Sequence, residues 1–269
     1  MRRQSRLDTP GALHHIIARG NERRTIFEDK KDRNEFLSRL GDILSGTGTI
    51  CYAWAIIPNH FHLFLRTGTL PIATIMRRLL TGYAIYFNRR HRRYGHLFQN
   101  RYKSILCQED PYFQELVRYI HLNPLRARLV NGIAALDKYP YTGHSALMGK
   151  AKNDWQDTEY VLGWFGKGIK QARSIYHDYI EEGVSMGKRP ELTGGGLVRS
   201  VGGWVNLIEM RRAKVFVKGD ERILGEGDFV ERMLKNSGEA FERKSLLKSQ
   251  GLDLDKLGAH VATLLEIDV

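Results

Sequence analysis

From Ile43 to Gln108, a run of 66 residues, the chain has no aspartate or glutamate, yet nine arginines and lysines fall in the same stretch. Cations left without neutralising acids mark a surface built for a polyanion. Cysteine is also scarce, with only Cys51 and Cys107 among 269 residues. Two are too few for a disulfide framework or a cysteine zinc site. Both lie in apolar strand-like runs, so they read as buried thiols of a cytoplasmic protein. No apolar run is long enough to cross a bilayer, and the basic start (Arg2, Arg3, Arg6) has no apolar stretch behind it, so no membrane partner is expected. Gly194-Gly195-Gly196 lacks the Gly-Lys-Ser/Thr ending of a phosphate loop, so no nucleotide cofactor is expected either. Internal repeats and low-complexity tracts are absent.

The charge that is present is uneven. Residues 1–130 hold 22 basic against 10 acidic residues, which accounts for the whole net charge of +12, while residues 131–269 hold 20 of each. The same boundary appears in the pattern of elements. Residues 13–19 read as a strand closed by Gly20-Asn21, and 32–45 as a helix with Phe36, Leu37, Leu40, Ile43 and Leu44 on one face. Ile50 to Ile57 and His60 to Arg66 form a hairpin around Pro58-Asn59. Residues 71–90 form a long amphipathic helix, and a strand runs from about Tyr102 to Cys107. Asp110-Pro111 reads as an N-cap and first position of a further helix that stops near Asn123, because Pro124 disfavours helical geometry before it. The order β-α-β-β-α-β-α predicts an α+β domain, a mostly antiparallel sheet with helices packed on it, over residues 1–135. A mainly α-helical C-terminal extension follows over 136–269, with a helical stretch near 157–183, Gly-rich turns at 194–196 and 202–203, and helix over much of 204–262.

Two segments carry chemistry. On a strand, side chains alternate, so His60 and His62 face one way and Phe61, Leu63 and Leu65 the other. Two imidazoles at i, i+2 converge on one point, as a divalent metal requires; for such a pair taken alone, two surface or core histidines on a hairpin are the simpler reading. In the second segment, Phe113, Leu116, Val117 and Ile120 form the buried stripe of a helix. Tyr112, Glu115, Tyr119 and Asn123 lie beside it, with Tyr119 and Asn123 one turn apart. A phenol and an amide docked over two imidazoles would make a site; a core-edge tyrosine and an asparagine that caps the helix end are the alternative.

Between these segments lies a basic, aromatic loop. Arg89, Arg90, Arg92, Arg93, Arg101 and Lys103 are interleaved with Tyr86, Tyr94, Phe98 and Tyr102. This is the pattern of a single-strand binder, in which cations follow the backbone and rings stack on unpaired bases. Arg19 and Asn21 at the end of the first strand join the nucleic-acid-binding candidates.

The combination of Pro58-Asn59-His60-Phe61-His62 with Tyr119-Ile120-His121-Leu122-Asn123-Pro124 resembles the single-tyrosine HUH transposases, in particular the REP-associated tyrosine transposases. Arg19-Gly20-Asn21 and Gly95-His96-Leu97-Phe98-Gln99-Asn100-Arg101-Tyr102-Lys103 match as well, and the likeness covers about residues 8–130. It implies a ferredoxin-like HUH catalytic domain, Mg²⁺ or Mn²⁺ held by His60 and His62 with Asn123 completing the shell, and Tyr119 as nucleophile. It further implies single-stranded or hairpin DNA as partner, a nucleoid-associated place in the cytoplasm, and nicking and joining through a 5′-phosphotyrosine. A homodimer is left open. Two rivals stand beside this reading: a domesticated, non-catalytic binder of structured single-stranded DNA or RNA, and a metal phosphoesterase that does not use Tyr119.

Overall fold

The structure, a computed structural model, describes residues 7–187, 189, 192 and 220–236. Short apolar runs and helical stripes build β1 (Leu13–Arg19), α1 (Lys30–Ser45), β2 (Ile50–Ile57), β3 (His60–Arg66), α2 (Ile72–Arg90) and β4 (Lys103–Cys107). The strands pair antiparallel in the order β2-β3-β1-β4, and β5 (Ile223–Leu224) adds a parallel strand at the β4 edge. This is the expected α+β fold with the ferredoxin-like βαββαβ order. Side-chain alternation divides its core in two. Phe61, Leu63 and Leu65 face Phe36 and Leu40 of α1 and Leu79 and Tyr83 of α2. Acids pin both helix starts: Asp29 accepts from the Asp32 amide, and Asp8 accepts from Ile72 N at 2.7 Å.

The opposite face of the sheet carries α3 (Glu109–His121). It begins one residue before the expected Asp110 cap, with Gln108 at the N-cap position and no side-chain cap bond. At its other end α3 stops at His121, close to the expected Asn123, but helical geometry resumes at once. Leu122 stays in the right-handed region, and α4 (Asn123–Arg126) continues, with Pro124 in its first turn. Proline is tolerated there because its missing N–H would have no helical acceptor in a first turn. The carbonyls at the end of α3 are satisfied by Asn123, whose side-chain nitrogen donates to Tyr119 O at 2.9 Å and Ile120 O at 3.3 Å.

Helices α5 (Ile133–Leu136), α6 (His144–Leu147), α7 (Thr158–Gly163) and α8 (Ile169–Glu182) follow. The helix expected over 157–183 is thus two helices, parted at a turn that contains Gly166 (φ 155°) and Gly168. Leu136, Leu147, Leu162, Tyr176 and Ile180 share one apolar cluster with Phe113, Leu116 and Ile120 of α3, so this core runs across residue 135 without a break. The Gly-rich turns at 194–196 and 202–203 lie outside the described residues. So does most of 204–262, apart from 220–236, of which 227–236 is helical. Among the described residues no helix is long and apolar enough to cross a membrane, and both cysteines are buried thiols.

Residues 141–157 also close the β2 edge of the sheet. Ile56 N donates to Tyr141 O, Gly143 N to Trp54 O and Asp157 N to Cys51 O, each at 2.9 Å. The Trp54 indole donates to Gln156 Oε1 at 2.9 Å. The chain approaches so closely that a Cβ on Gly143 would stand 2.7 Å from Gln156 Nε2 and 2.9 Å from His121 Nε2. A buried polar chain ties the same segment to α3. Asp137 accepts from His144 Nε2 at 2.8 Å, so His144 Nδ1 must accept from the Tyr176 hydroxyl at 2.7 Å. That hydroxyl then accepts from His121 Nδ1 at 2.8 Å.

Removing the middle of this chain leaves two buried imidazole nitrogens unpaired, so Tyr176→Phe should cost about 1–3 kcal/mol in urea unfolding; an unchanged midpoint would contradict the network. Its pH dependence has a definite sign. Burial, reinforced by the charge of His144, holds His121 well below the ordinary imidazole value. As pH falls below about 6.5 the unfolded chain takes up that proton and the folded chain does not, so stability is lost, by up to about 1.4 kcal/mol per pH unit. His121→Asn should flatten the fall in unfolding free energy from about pH 6.5 to about pH 5 by up to one proton, and an unaltered slope would contradict the assignment.

Candidate active site

The site lies on the sheet face covered by α3. Register places His60 opposite Arg19 and His62 opposite Ile17, and alternation along β1 brings His15 to the same face. His60 and His62 lie side by side, ring centroids 5.2 Å apart at 72°. The apolar stripe of α3 packs on the sheet beside them and delivers Tyr119. Its ring meets His62 edge-on at 5.7 Å and His15 at 6.0 Å. The structure therefore brings Tyr119 to His60 and His62, which lie 57 or more residues before it in sequence.

The hydrogen bonds around the two imidazoles set which ring nitrogens carry hydrogen. Asn59 Nδ2 donates to Arg23 O at 3.2 Å, which orients the amide so that Asn59 Oδ1, 2.7 Å from His60 Nδ1, can only accept. His60 therefore carries its hydrogen on Nδ1 and keeps a lone pair on Nε2. Burial, with help from the Arg19 charge, moves His60 down to about 4. Burial and the charges of His15, His60 and Arg19 hold His62 well below the imidazole range. Both rings are thus neutral near pH 7, the form that binds a metal. His15 Nε2 stands 3.0 Å from His62 Nδ1, with the rings stacked at 5.2 Å. If that contact fixes the Nδ1 hydrogen on His62, its Nε2 is also left with a lone pair.

A divalent cation fits His60 and His62 by donor chemistry, two neutral imidazoles side by side. The nitrogen of Asn123 is spent on the end of α3, so the amide oxygen is its remaining ligand atom. Among the described residues, three donors of the His, Cys, Asp or Glu type come within 4.8 Å of one another at His177, Asp178 and Glu181 on α8, where both acids are exposed. That group contains none of the residues at Tyr119.

The nucleic-acid candidates divide. Residues 97–99 are zipped onto the end of β1: Asn21 N donates to Leu97 O and Gln99 N to Arg19 O, each at 2.9 Å. Gly20 permits this path, since a Cβ there would stand 2.1 Å from Arg24 O. The basic loop is thereby held next to Arg19, the neighbour of His60. Tyr94 is 96% exposed, and Arg89, Arg92, Arg101 and Lys103 are exposed as well, while Arg93 lies over the Phe87 ring. Arg90 is different, because its guanidinium is engaged by Asp29 at 2.6 Å and by the buried Asp32. Its charge is spent joining α2 to α1. Between α2 and the loop runs an open cleft of about 600 Å³ lined by Ala84, Ile85, Asn88, His96, Phe98 and Arg101.

Two neighbours of the site were not singled out from the sequence. His15 was legible as an in-facing residue of β1, but its contact with His62 depends on the pairing register. Arg126 lies seven residues after Tyr119 on the α3–α4 path, and its guanidinium stands 5.4 Å from the Tyr119 ring centroid. Helical spacing would have found it had Pro124 not been read as a stop.

Residues 10–123 match the profile of a family described as IS200-like transposases. Among solved structures, the chain is similar to a REP-associated tyrosine transposase bound to a REP hairpin. The likeness is 15% identity over 58% of this chain and 94% of that one, with a TM-score of 0.45. It is also similar to a candidate transposase from Deinococcus radiodurans, with 17% identity over 44% of this chain and 93% of the other and a TM-score of 0.32. No curated protein matches the chain. Over residues 10–123, the stretch that contains both histidines and the tyrosine, the chain is similar to the IS200-like transposases.

Proposed function

We propose that this chain nicks and rejoins single-stranded or hairpin DNA through a covalent 5′-phosphotyrosine on Tyr119, with Mg²⁺ or Mn²⁺ held by His60 and His62. The observation that carries the reading is the edge-on packing of the Tyr119 ring against His62, 5.7 Å away, with His60 beside it. When bound, the cation would polarise the scissile phosphate and ease loss of the phenolic proton. The chain's own residues do the rest. Tyr119 Oη attacks phosphorus, the Oη–P bond forms as the P–O3′ bond breaks, and the 3′ oxygen leaves and takes up a proton. Attack by a 3′-hydroxyl reverses these changes and joins the strand. The number of phosphate ester bonds is conserved, so the cycle needs no nucleotide. Fixing the phenol in the core edge of α3 makes the attack effectively unimolecular.

Strand binding falls to the other wall. Arg19, Arg89, Arg92, Arg93, Arg101 and Lys103 would follow the phosphates, and Tyr94 would stack on an unpaired base for about 1–3 kcal/mol. Each phosphate contact steepens the salt dependence of binding. Asn21 would line the path from the loop to His60, and Asn123 would offer its amide oxygen to the cation.

With labelled hairpin DNA and Mn²⁺, the wild-type chain should form a denaturant-stable adduct, and Tyr119→Phe none. His60→Ala should lose the adduct but retain hairpin affinity. Binding without an adduct in the wild type would favour the non-catalytic reading, and cleavage that survives Tyr119→Phe would favour a phosphoesterase. His15→Ala should weaken Mn²⁺ binding about 10–100-fold, read from the electron paramagnetic resonance signal of free Mn²⁺; unchanged affinity would remove His15 from the site.

A further inference from the structure

We propose that Arg126 is a second catalytic residue, one that binds the non-bridging oxygens of the phosphate attacked by Tyr119; the proposal rests on the reading of Tyr119 as nucleophile. Arg126 closes α4, and its half-buried guanidinium lies over the Tyr119 ring, 5.4 Å from the centroid. Its Nε and Nη1 are buried and have no hydrogen-bond partner. Among the described residues no carboxylate pairs with it. The neighbouring cations differ: Arg118 and Arg189 both bond to Glu115, and Arg118 also lies over the Tyr179 ring.

A cation stacked on a phenol is a common packing motif and accounts for the contact with the ring. It does not account for buried N–H groups without an acceptor, which cost free energy unless something absent from the isolated chain accepts from them. The guanidinium cannot escape that cost by losing its proton. Arg118 and Arg189 also raise the local positive potential, since both act on Arg126 through their charges. An anion at the hydroxyl end of Tyr119 would supply the acceptor. The reaction brings one there, because the phosphoryl group in transfer spreads negative charge over its non-bridging oxygens. A preorganised donor at that place is used most in the transition state.

The test removes the charge from the substrate instead of from the protein. Hairpin DNA is prepared with either an ordinary phosphate or an uncharged methylphosphonate at the scissile position, and adduct formation is timed for wild type, Arg126→Gln and Arg126→Lys. On phosphate, Arg126→Gln should slow the step at least about 100-fold, with part of the rate restored in Arg126→Lys. On methylphosphonate, wild type and Arg126→Gln should react at similar rates. An equal penalty on both substrates, or no penalty on phosphate, would overturn the proposal and leave Arg126 a packing residue. Circular dichroism and hairpin affinity of Arg126→Gln should match wild type, and a variant that fails either check would also count against a role confined to the phosphate. If wild type forms no adduct on phosphate, the reading of Tyr119 falls, and this inference with it.

Discussion

The packing of α3 on the sheet is the constraint on which the site depends. Phe113, Leu116, Val117 and Ile120 are fully buried on one stripe. Burying four such side chains contributes at most about 6–12 kcal/mol. That exceeds the roughly 1 kcal/mol of any one hydrogen bond near Tyr119. The helix is therefore positioned by its apolar side, and the phenol on the adjacent stripe is carried to His62 as a consequence. The extension acts from behind. Leu136, Leu162 and Tyr176 complete the same cluster, and the chain from Asp137 to His121 fixes α3 where its tyrosine emerges. The geometry of the candidate site and the packing of the core are in this sense one arrangement.

Charge is organised by a complementary rule. Three acids of the first half are used internally, Asp29 and Asp32 on Arg90 and Glu115 on Arg118 and Arg189. Among the described residues no carboxylate pairs with Arg19, Arg92 or Arg101, which stand exposed on the wall beside the site. The acid-free window therefore has a local meaning: from β2 to β4 the sequence itself supplies no carboxylate to compete with a phosphate backbone for Arg92 and Arg101. Within the site, burial and the Arg19 charge keep His60 and His62 neutral, which favours metal binding over protonation.

Local pattern made much of this legible. The bounds of β1, β2 and β3 follow from apolar runs closed by Gly20-Asn21 and Pro58-Asn59, and the placing of His60 with His62 on one face follows from the period of a strand. Tyr119 and Asn123 share a stripe because helices repeat near 3.6 residues. Contacts set by register or by distant chain were not legible. His15 reaches His62 through the β1–β3 pairing, and Arg90 finds Asp29 and Asp32 across 61 and 58 residues. The stop expected near Asn123 holds, since α3 ends at His121, but the proline also sits in the first turn of α4, and that continuation hid Arg126. Composition alone could not reveal that residues 136–182 finish the core of the preceding domain, because their apolar faces are complementary to α3 only once both are folded.

Identification of the atom that becomes linked to DNA tests the central claim most directly. Tandem mass spectrometry of a nuclease-trimmed, protease-digested adduct reports both the modified residue and the end of the strand it carries. The account predicts a 5′-phosphate on Tyr119, in the peptide that contains Glu115 and Tyr119, and a free 3′-hydroxyl on the released strand. A nucleotide attached to any other residue, or a 3′-phosphate linkage, would contradict it.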